Sequence, residues 1–168
     1  MNLENFIADI PDFPKPGIIF KDISPILSSP VAFAFVIDEM AKNMTNVDVI
    51  VALDARGFIF GAAISYKLWI PFIPIRKPGK LPDETISIDY DLEYGSNTLE
   101  IHKNSIKKGQ KIAIVDDLLA TGWTAGAAMN LVERLGGEVQ WFHFVVHLGF
   151  LEWEKKLNEK PIFSLLTY

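Results

Sequence analysis

The chain of 168 residues contains no cysteine and only three histidines. The missing thiols remove disulfides, zinc–thiolate sites, iron–sulfur clusters and cysteine nucleophiles together. Long apolar runs are missing too. The longest, such as residues 31–37, span about seven residues, far short of the roughly twenty that cross a bilayer. Where a secretory leader needs an apolar stretch, the first thirty residues hold Asp12, Lys15, Lys21 and five prolines. The expectation is a soluble, cytoplasmic protein with no membrane contact. Positive charge is also in short supply. Sixteen Lys and Arg face twenty-one Asp and Glu, for a net charge of −5, which disfavours nucleic acid as a partner. A polyanionic ligand must then be met by a local basic cluster. Core material is plentiful, with 49% apolar and 22% charged residues, enough for one domain over residues 1–168. A mean hydropathy of +0.21 hints at a buried subunit interface.

Along the chain, residues 2–9 read as a short amphipathic helix closed by Pro11, Pro14, Pro16 and Gly17, and residues 18–20 as a brief strand. Ser29 is placed to cap a helix that starts at Pro30 and runs to about Met44. An alternation follows. Strands are expected at 49–53, 71–75, 112–115, 139–146 and 162–166, with helices at 58–68, 123–135 and 149–157. Gly136 and Gly137 stop the second of these helices. Apolar strands separated by helices are what a doubly wound α/β fold requires: a mostly parallel sheet covered by helices on both faces. Residues 77–105 break this rhythm, although 85–90 and 98–102 alternate weakly as in a hairpin. Excursions of this length are usually functional. A mobile lid is one reading and a rigid surface ribbon the other.

The most informative segment is Asp116-Asp117-Leu118-Leu119-Ala120-Thr121-Gly122-Trp123-Thr124. Two acids close a buried parallel strand, and a short loop with Gly and Thr leads into a helix. Ligands of open α/β sheets bind at such strand ends, and a helix N-terminus suits a phosphate. Acids on a ribose diol and loop amides on a phosphate would together hold a sugar phosphate. The same acids could instead do no more than cap the helix. Arg76, Lys77 and Lys80 put three cations within five residues, and Arg56 adds a fourth. Such a cluster fits pyrophosphate, or is simply a solvated basic loop. His143 and His147 stand at i, i+4 on one strand, a spacing open to a metal, but structural roles are expected.

Residues 116–124 also resemble the 5-phosphoribosyl-1-pyrophosphate (PRPP) loop of type I phosphoribosyltransferases. Residues 13–25, beginning Phe13-Pro14-Lys15-Pro16-Gly17, resemble the N-terminal hood of the adenine phosphoribosyltransferase family. Leu53-Asp54-Ala55-Arg56-Gly57-Phe58, Ile75-Arg76-Lys77-Pro78-Gly79-Lys80 and Leu92-Glu93-Tyr94-Gly95 resemble its remaining blocks, in order. The resemblance covers the chain from Pro11 onward. It implies a single domain with a hood (1–28) and a lid hairpin (77–105). It also implies a Mg²⁺-dependent reaction of purine salvage, in which adenine N9 displaces pyrophosphate from PRPP with inversion to give AMP, in a homodimer.

The same resemblance implies roles for individual residues. Asp116, Asp117, Ala120, Thr121, Gly122, Trp123 and Thr124 would hold the ribose and 5′-phosphate. Asp54, Ala55, Arg56, Arg76, Lys77 and Lys80 would hold pyrophosphate. Ile19, Phe20, Lys21 and Leu118 would form the adenine pocket, with Phe20 stacking and the backbone of Ile19 and Lys21 reading the purine edge; without the resemblance, Phe20 reads more simply as core. Glu93 is implied as the base for N9 or a stabiliser of nearby charge, Tyr94 as a cover that excludes water, and Arg56 as a further catalytic group. Mg²⁺ is expected to ride on PRPP, touching Asp116 or Asp117 through water and having no direct protein ligand. A non-proline cis peptide is implied at Asp54–Ala55. Two positions depart from the pattern. Trp123 replaces the second glycine of the loop, a steric problem if that position needs positive φ, and Lys21 stands where Arg is common. The readings that compete are the same fold acting on a 6-oxopurine and a non-catalytic nucleotide sensor or RNA-binding regulator. The basic cluster with Glu93 argues against lost catalysis, and the acidic balance against RNA.

Overall fold

Five apolar residues in succession, Val49–Leu53, can be covered only if both faces of their strand are buried, and all five are. The computed structural model, which describes residues 1–92, 95–151 and 153–168, seats this strand inside a five-stranded sheet. In chain order the elements are β1 (Ala8–Pro11), β2 (Ile19–Asp22), α1 (Ser24–Ser28), α2 (Pro30–Lys42), β3 (Val49–Leu53), α3 (Arg56–Leu68) and β4 (Phe72–Ile75). Then come β5 (Thr85–Leu92), β6 (Gly95–His102), β7 (Lys111–Leu119), α4 (Trp123–Arg134), β8 (Glu138–His147) and β9 (Ile162–Thr167). Short 3₁₀ turns lie at Leu3–Phe6 and Glu154–Leu157.

The sheet order is β4-β3-β7-β8-β9, and every neighbouring pair is parallel. The winding direction reverses between β3 and β7, and the carboxyl ends of those two strands open the crevice where such sheets bind ligands. On one face, Ile23, Ile26, Val36, Met40, Phe60 and Ile64 from the N-terminal region, α2 and α3 pack on Ile50, Ala52, Ala113 and Val115. On the other, Ala128, Met129, Leu131 and Val132 of α4, with Leu99 and Ile101 of β6, cover Val51, Leu53, Ile112, Ile114, Phe142 and Phe144. Each large apolar side chain buried in these layers contributes about 1.5–3 kcal/mol. The doubly wound α/β fold expected from the sequence is the fold observed. Among the described residues no helix is long and apolar enough to cross a membrane.

Three local expectations are corrected. Residues 2–9 are a 3₁₀ turn followed by β1, because residues 8–11 pair antiparallel with β2, from Ala8↔Asp22 to Pro11↔Ile19. Among the described residues of 149–157 no α-helix forms. Gly149 N–H donates to the Tyr168 carbonyl at 2.8 Å, and Leu157 is drawn fully into the core, leaving only the turn Glu154–Leu157. Strand β7 is longer than residues 112–115, continuing through both acids to Leu119. The hairpin is present, paired from Thr85↔His102 to Leu92↔Gly95. Ile86, Ile88 and Tyr90 pack against the core cluster that includes α4, and Arg134 Nη1 donates to the Ser87 carbonyl at 3.3 Å.

Candidate active site

The two acids lie where β7 loses one neighbour. Pairing with β3 ends at Val115, whereas pairing with β8 runs on through Asp116↔Phe144 to Leu119↔His147. Arg56, at the start of α3, reaches into this gap, its Nη2 lying 2.8 Å from Asp117 Oδ2. The approach depends on Gly57. A Cβ at that position would stand 2.7 Å from Asp116 Oδ1 and 2.9 Å from the Val115 carbonyl. Asp117 is 4% exposed and its N–H donates to Asp116 Oδ1 at 2.9 Å. Burial, then the neighbouring Asp117 charge, holds the Asp116 carboxyl well above the usual carboxylate range. Burial also raises Asp117, with the Arg56 guanidinium opposing the rise. Asp116 lines the adjoining cavity, while Asp117 is engaged by Arg56.

That cavity, about 90 Å³, is walled by Asp116, Leu118, Leu119 and the loop Ala120, Thr121, Gly122, Trp123 and Thr124, with Phe144 behind. Among the described residues no side chain caps the N-terminus of α4, so its first-turn N–H groups can meet an anion. The loop residue with positive φ is Gly122, at 79°, and Trp123 is already helical. The steric difficulty feared for Trp123 therefore does not arise.

The cations gather at the ends of β3 and β4. Asp54–Ala55 is a non-proline cis peptide, as the resemblance implies. Asp54 N–H donates to the Ile75 carbonyl at 3.0 Å, and Arg76 Nε donates to Asp54 Oδ2 at 2.8 Å. Arg76 Nη1 also holds the Lys80 carbonyl at 3.1 Å. Lys77 and Lys80 are exposed and pair with no carboxylate among the described residues. Arg76 thus orders the loop that carries the two lysines.

A larger, mostly apolar cavity of about 610 Å³ opens between the N-terminal hairpin and the sheet end. Ile19, Phe20, Lys21 and Leu118 are among the residues that line it. The Arg56 guanidinium lies 5.1 Å from the centre of the Phe20 ring, joining this cavity to the acids. Among the described residues β2 has β1 as its one strand partner, which leaves N–H and C=O groups along its second edge for a ligand. Sequence reasoning missed Leu148, Phe150, Leu151 and Tyr168, which complete the wall. The available signal was position, since Leu148 follows directly on the carboxyl end of β8 and Tyr168 on that of β9. Tyr168 also lies beneath Lys21, whose Nζ is 3.7 Å from the ring centre and 2.7 Å from Asp9. Glu93 and Tyr94 lie outside the described residues. His143 is fully buried beside Trp141 and Phe163, and His147 packs on Trp153. Among the described residues no group of three His, Cys, Asp or Glu could hold a metal.

A switch-point crevice with an uncapped helix N-terminus, buried acids and a cationic rim defines an α/β protein built to grip a phosphorylated sugar. The family model of the phosphoribosyl transferase domain matches residues 26–160. The adenine phosphoribosyltransferase of Pseudothermotoga lettingae is 54% identical, over the whole of both chains. The crystal structure of adenine phosphoribosyltransferase from Thermoanaerobacter pseudethanolicus superposes with a TM-score of 0.95 at 50% identity, over 99% of this chain and 98% of that one. The enzyme from Saccharomyces cerevisiae, solved with adenine and an imino-altritol bisphosphate, gives a TM-score of 0.90 at 42% identity, over 97% and 96% of the two chains. The chain belongs to the phosphoribosyl transferase domain family and, within it, to the adenine phosphoribosyltransferases. It is an enzyme.

Proposed function

We propose that this enzyme transfers the phosphoribosyl group of PRPP to N9 of adenine, forming AMP and pyrophosphate with inversion at the anomeric carbon, as a step of purine salvage in the cytoplasm. The observation that carries the reading is the meeting of three unlike surfaces at one sheet edge. An apolar cavity suits a purine, buried acids beside an uncapped helix suit a ribose phosphate, and a cationic loop suits a pyrophosphate leaving group. Phe20 and Leu118 sandwich the base, and the open edge of β2 reads its hydrogen-bonding edge through Ile19 and Lys21. A 6-amino and a 6-oxo purine present opposite donor and acceptor patterns there, and each mispaired group costs about 1–3 kcal/mol. Ala120, Thr121, Gly122, Trp123 and Thr124 hold the 5′-phosphate, and Asp116 and Asp117 face the ribose diol. Arg56, Arg76, Lys77 and Lys80, with the turn at Asp54–Ala55, stabilise the charge that develops on departing pyrophosphate. Glu93 takes the N9 proton and Tyr94 excludes water, with residues 77–105 acting as a lid and residues 1–28 as a hood on a single domain.

The donor set fits Mg²⁺ carried by the substrate. Magnesium keeps several waters and binds one or two carboxylates with phosphate oxygens, and two acids beside a phosphate cavity match that need. When bound, the ion neutralises charge on the pyrophosphate group. A homodimer is supported by the exposed ring pair Tyr66 and Trp69 at the carboxyl end of α3. The test is an assay with PRPP, Mg²⁺ and adenine, hypoxanthine or guanine in parallel. AMP from adenine alone is expected. Product from a 6-oxopurine would overturn the base-pocket assignment, and no product from any base would overturn the activity.

A further inference from the structure

The phosphate loop is braced from behind by a segment outside the reacting groups. Leu157 is fully buried and anchors the turn Glu154–Leu157. A Cβ at Gly122 would come within 2.9 Å of Trp153 Cβ, and one at Gly126 within 2.8 Å of the Lys156 carbonyl. Residues 153–156 are thus pressed onto the loop and the first turns of α4. From this brace the Lys156 side chain returns to the loop. Its Nζ donates to the Thr121 carbonyl at 2.8 Å and lies 4.3 Å from the centre of the Trp123 ring.

The consequence follows from peptide geometry. In a trans peptide the carbonyl of Thr121 and the N–H of Gly122 point in opposite directions. Gly122 tolerates either orientation of that peptide because it has no Cβ. With the carbonyl held by a charge-assisted bond on the Lys156 side, the Gly122 N–H is turned away from Lys156, and both residues of this peptide line the small cavity. A flipped peptide would aim an oxygen at the phosphate instead. The ring of Trp123, standing where the family motif has a second glycine, gives the ammonium a second surface.

We propose that Lys156 is a positioning residue for the 5′-phosphate, fixing the Thr121–Gly122 peptide with its N–H toward the ligand. This rests on the reading of residues 120–124 as the phosphate loop. Because the phosphate is held equally before and during reaction, loss of the clamp raises KM and leaves kcat. The test compares Lys156→Met, which keeps the aliphatic stem, with Lys156→Arg, and uses Thr124→Ala as a control on the loop itself. For K156M the KM for PRPP and the Kd for AMP should each rise about tenfold. Its kcat at saturating PRPP, KM for adenine and melting temperature should hold, and K156R should restore PRPP binding. If K156M does not fold, Lys156→Leu, apolar and without a donor, loses the same bond and replaces it. An unchanged PRPP KM in the lysine variant, with a raised one in T124A, would overturn the clamp and keep the phosphate loop. Unchanged values in both would overturn the loop assignment. A joint fall of kcat and melting temperature, uncorrected by arginine, would leave Lys156 a merely structural part and overturn the proposal.

Discussion

Asp116 and Asp117 are adjacent in the chain yet meet different surroundings, one lining the small cavity beside α4 and the other held by Arg56. Both carboxyls are raised by burial, a desolvation cost that a diol would relieve by donating hydrogen bonds. Replacing both by Asn should weaken PRPP binding by roughly ten- to a hundredfold per lost charge-assisted bond, with little loss of stability. Titration calorimetry with PRPP and a thermal melt would check this, and unchanged affinity would sink the diol assignment. His143 makes a different prediction. Burial among aromatic and aliphatic neighbours lowers its pKa from 6.5 to about 4. Between those values the unfolded chain binds a proton that the folded chain refuses, so the His143 contribution to stability is lost as pH falls through that window. The total is about 3 kcal/mol. Raised Asp116 acts in the opposite direction, so the comparison must be between variants. His143→Leu should lose less melting temperature between pH 7 and pH 5 than the parent does.

At the scale of elements, the strands of the central sheet were legible because an apolar run with no alternation has one use in a helix-separated pattern. Elements whose form depends on a distant partner were not. Ala8–Pro11 becomes a strand because β2 lies beside it, and residues 149–157 lose their helical pattern to Trp153 packed on Gly122 and to Leu157 in the core. The extension of β7 through two acids was hidden for the same reason, since polar residues end a strand only where no neighbour continues it. The site was legible in its residues, but the engagement of Asp117 by Arg56 was not, because that contact joins separate strand ends. The hairpin carries the third prediction. Glu93, in the block between β5 and β6, should act on N9 alone, so Glu93→Gln should lower kcat about 10²–10⁴-fold with PRPP affinity retained. Single-turnover kinetics would separate the two, and an unaltered kcat would remove Glu93 from the chemistry.

For the whole molecule, the two most exposed large apolar groups, Tyr66 and Trp69, stand together at the carboxyl end of α3. Trp69, which caps the carboxyl end of α3, is 86% exposed with its ring 5.8 Å from that of Tyr66, and Ile59 is exposed about two turns before Tyr66 on the helix. Trp69 also ends the helix in the left-handed region, at φ 56°, where glycine is the usual choice. A bulky residue held there against a cost of about 1–2 kcal/mol fits a ring kept for a contact with a second copy. In the proposed homodimer, Trp69→Gly should therefore shift the equilibrium toward monomer at micromolar concentration in light scattering, while relaxing the backbone of each protomer. A dimer of unchanged affinity would place the interface elsewhere.

Local chemistry in the sequence by itself determined the parallel α/β sheet, the phosphate-loop candidate and the cationic cluster. Burial patterns, glycine and charge spacing act over a few residues and can be read without partners. Tertiary structure alone decided which edge of the β1–β2 hairpin stays open and that Leu148, Phe150, Leu151 and Tyr168 join the wall of the larger cavity. It also decided that Gly57 admits Arg56 to the acids, and that Lys156 reaches the Thr121 carbonyl from 35 residues away. Those contacts bring together chain segments whose separation in sequence carries no trace of their meeting, and the packing of two layers on one sheet is what joins them.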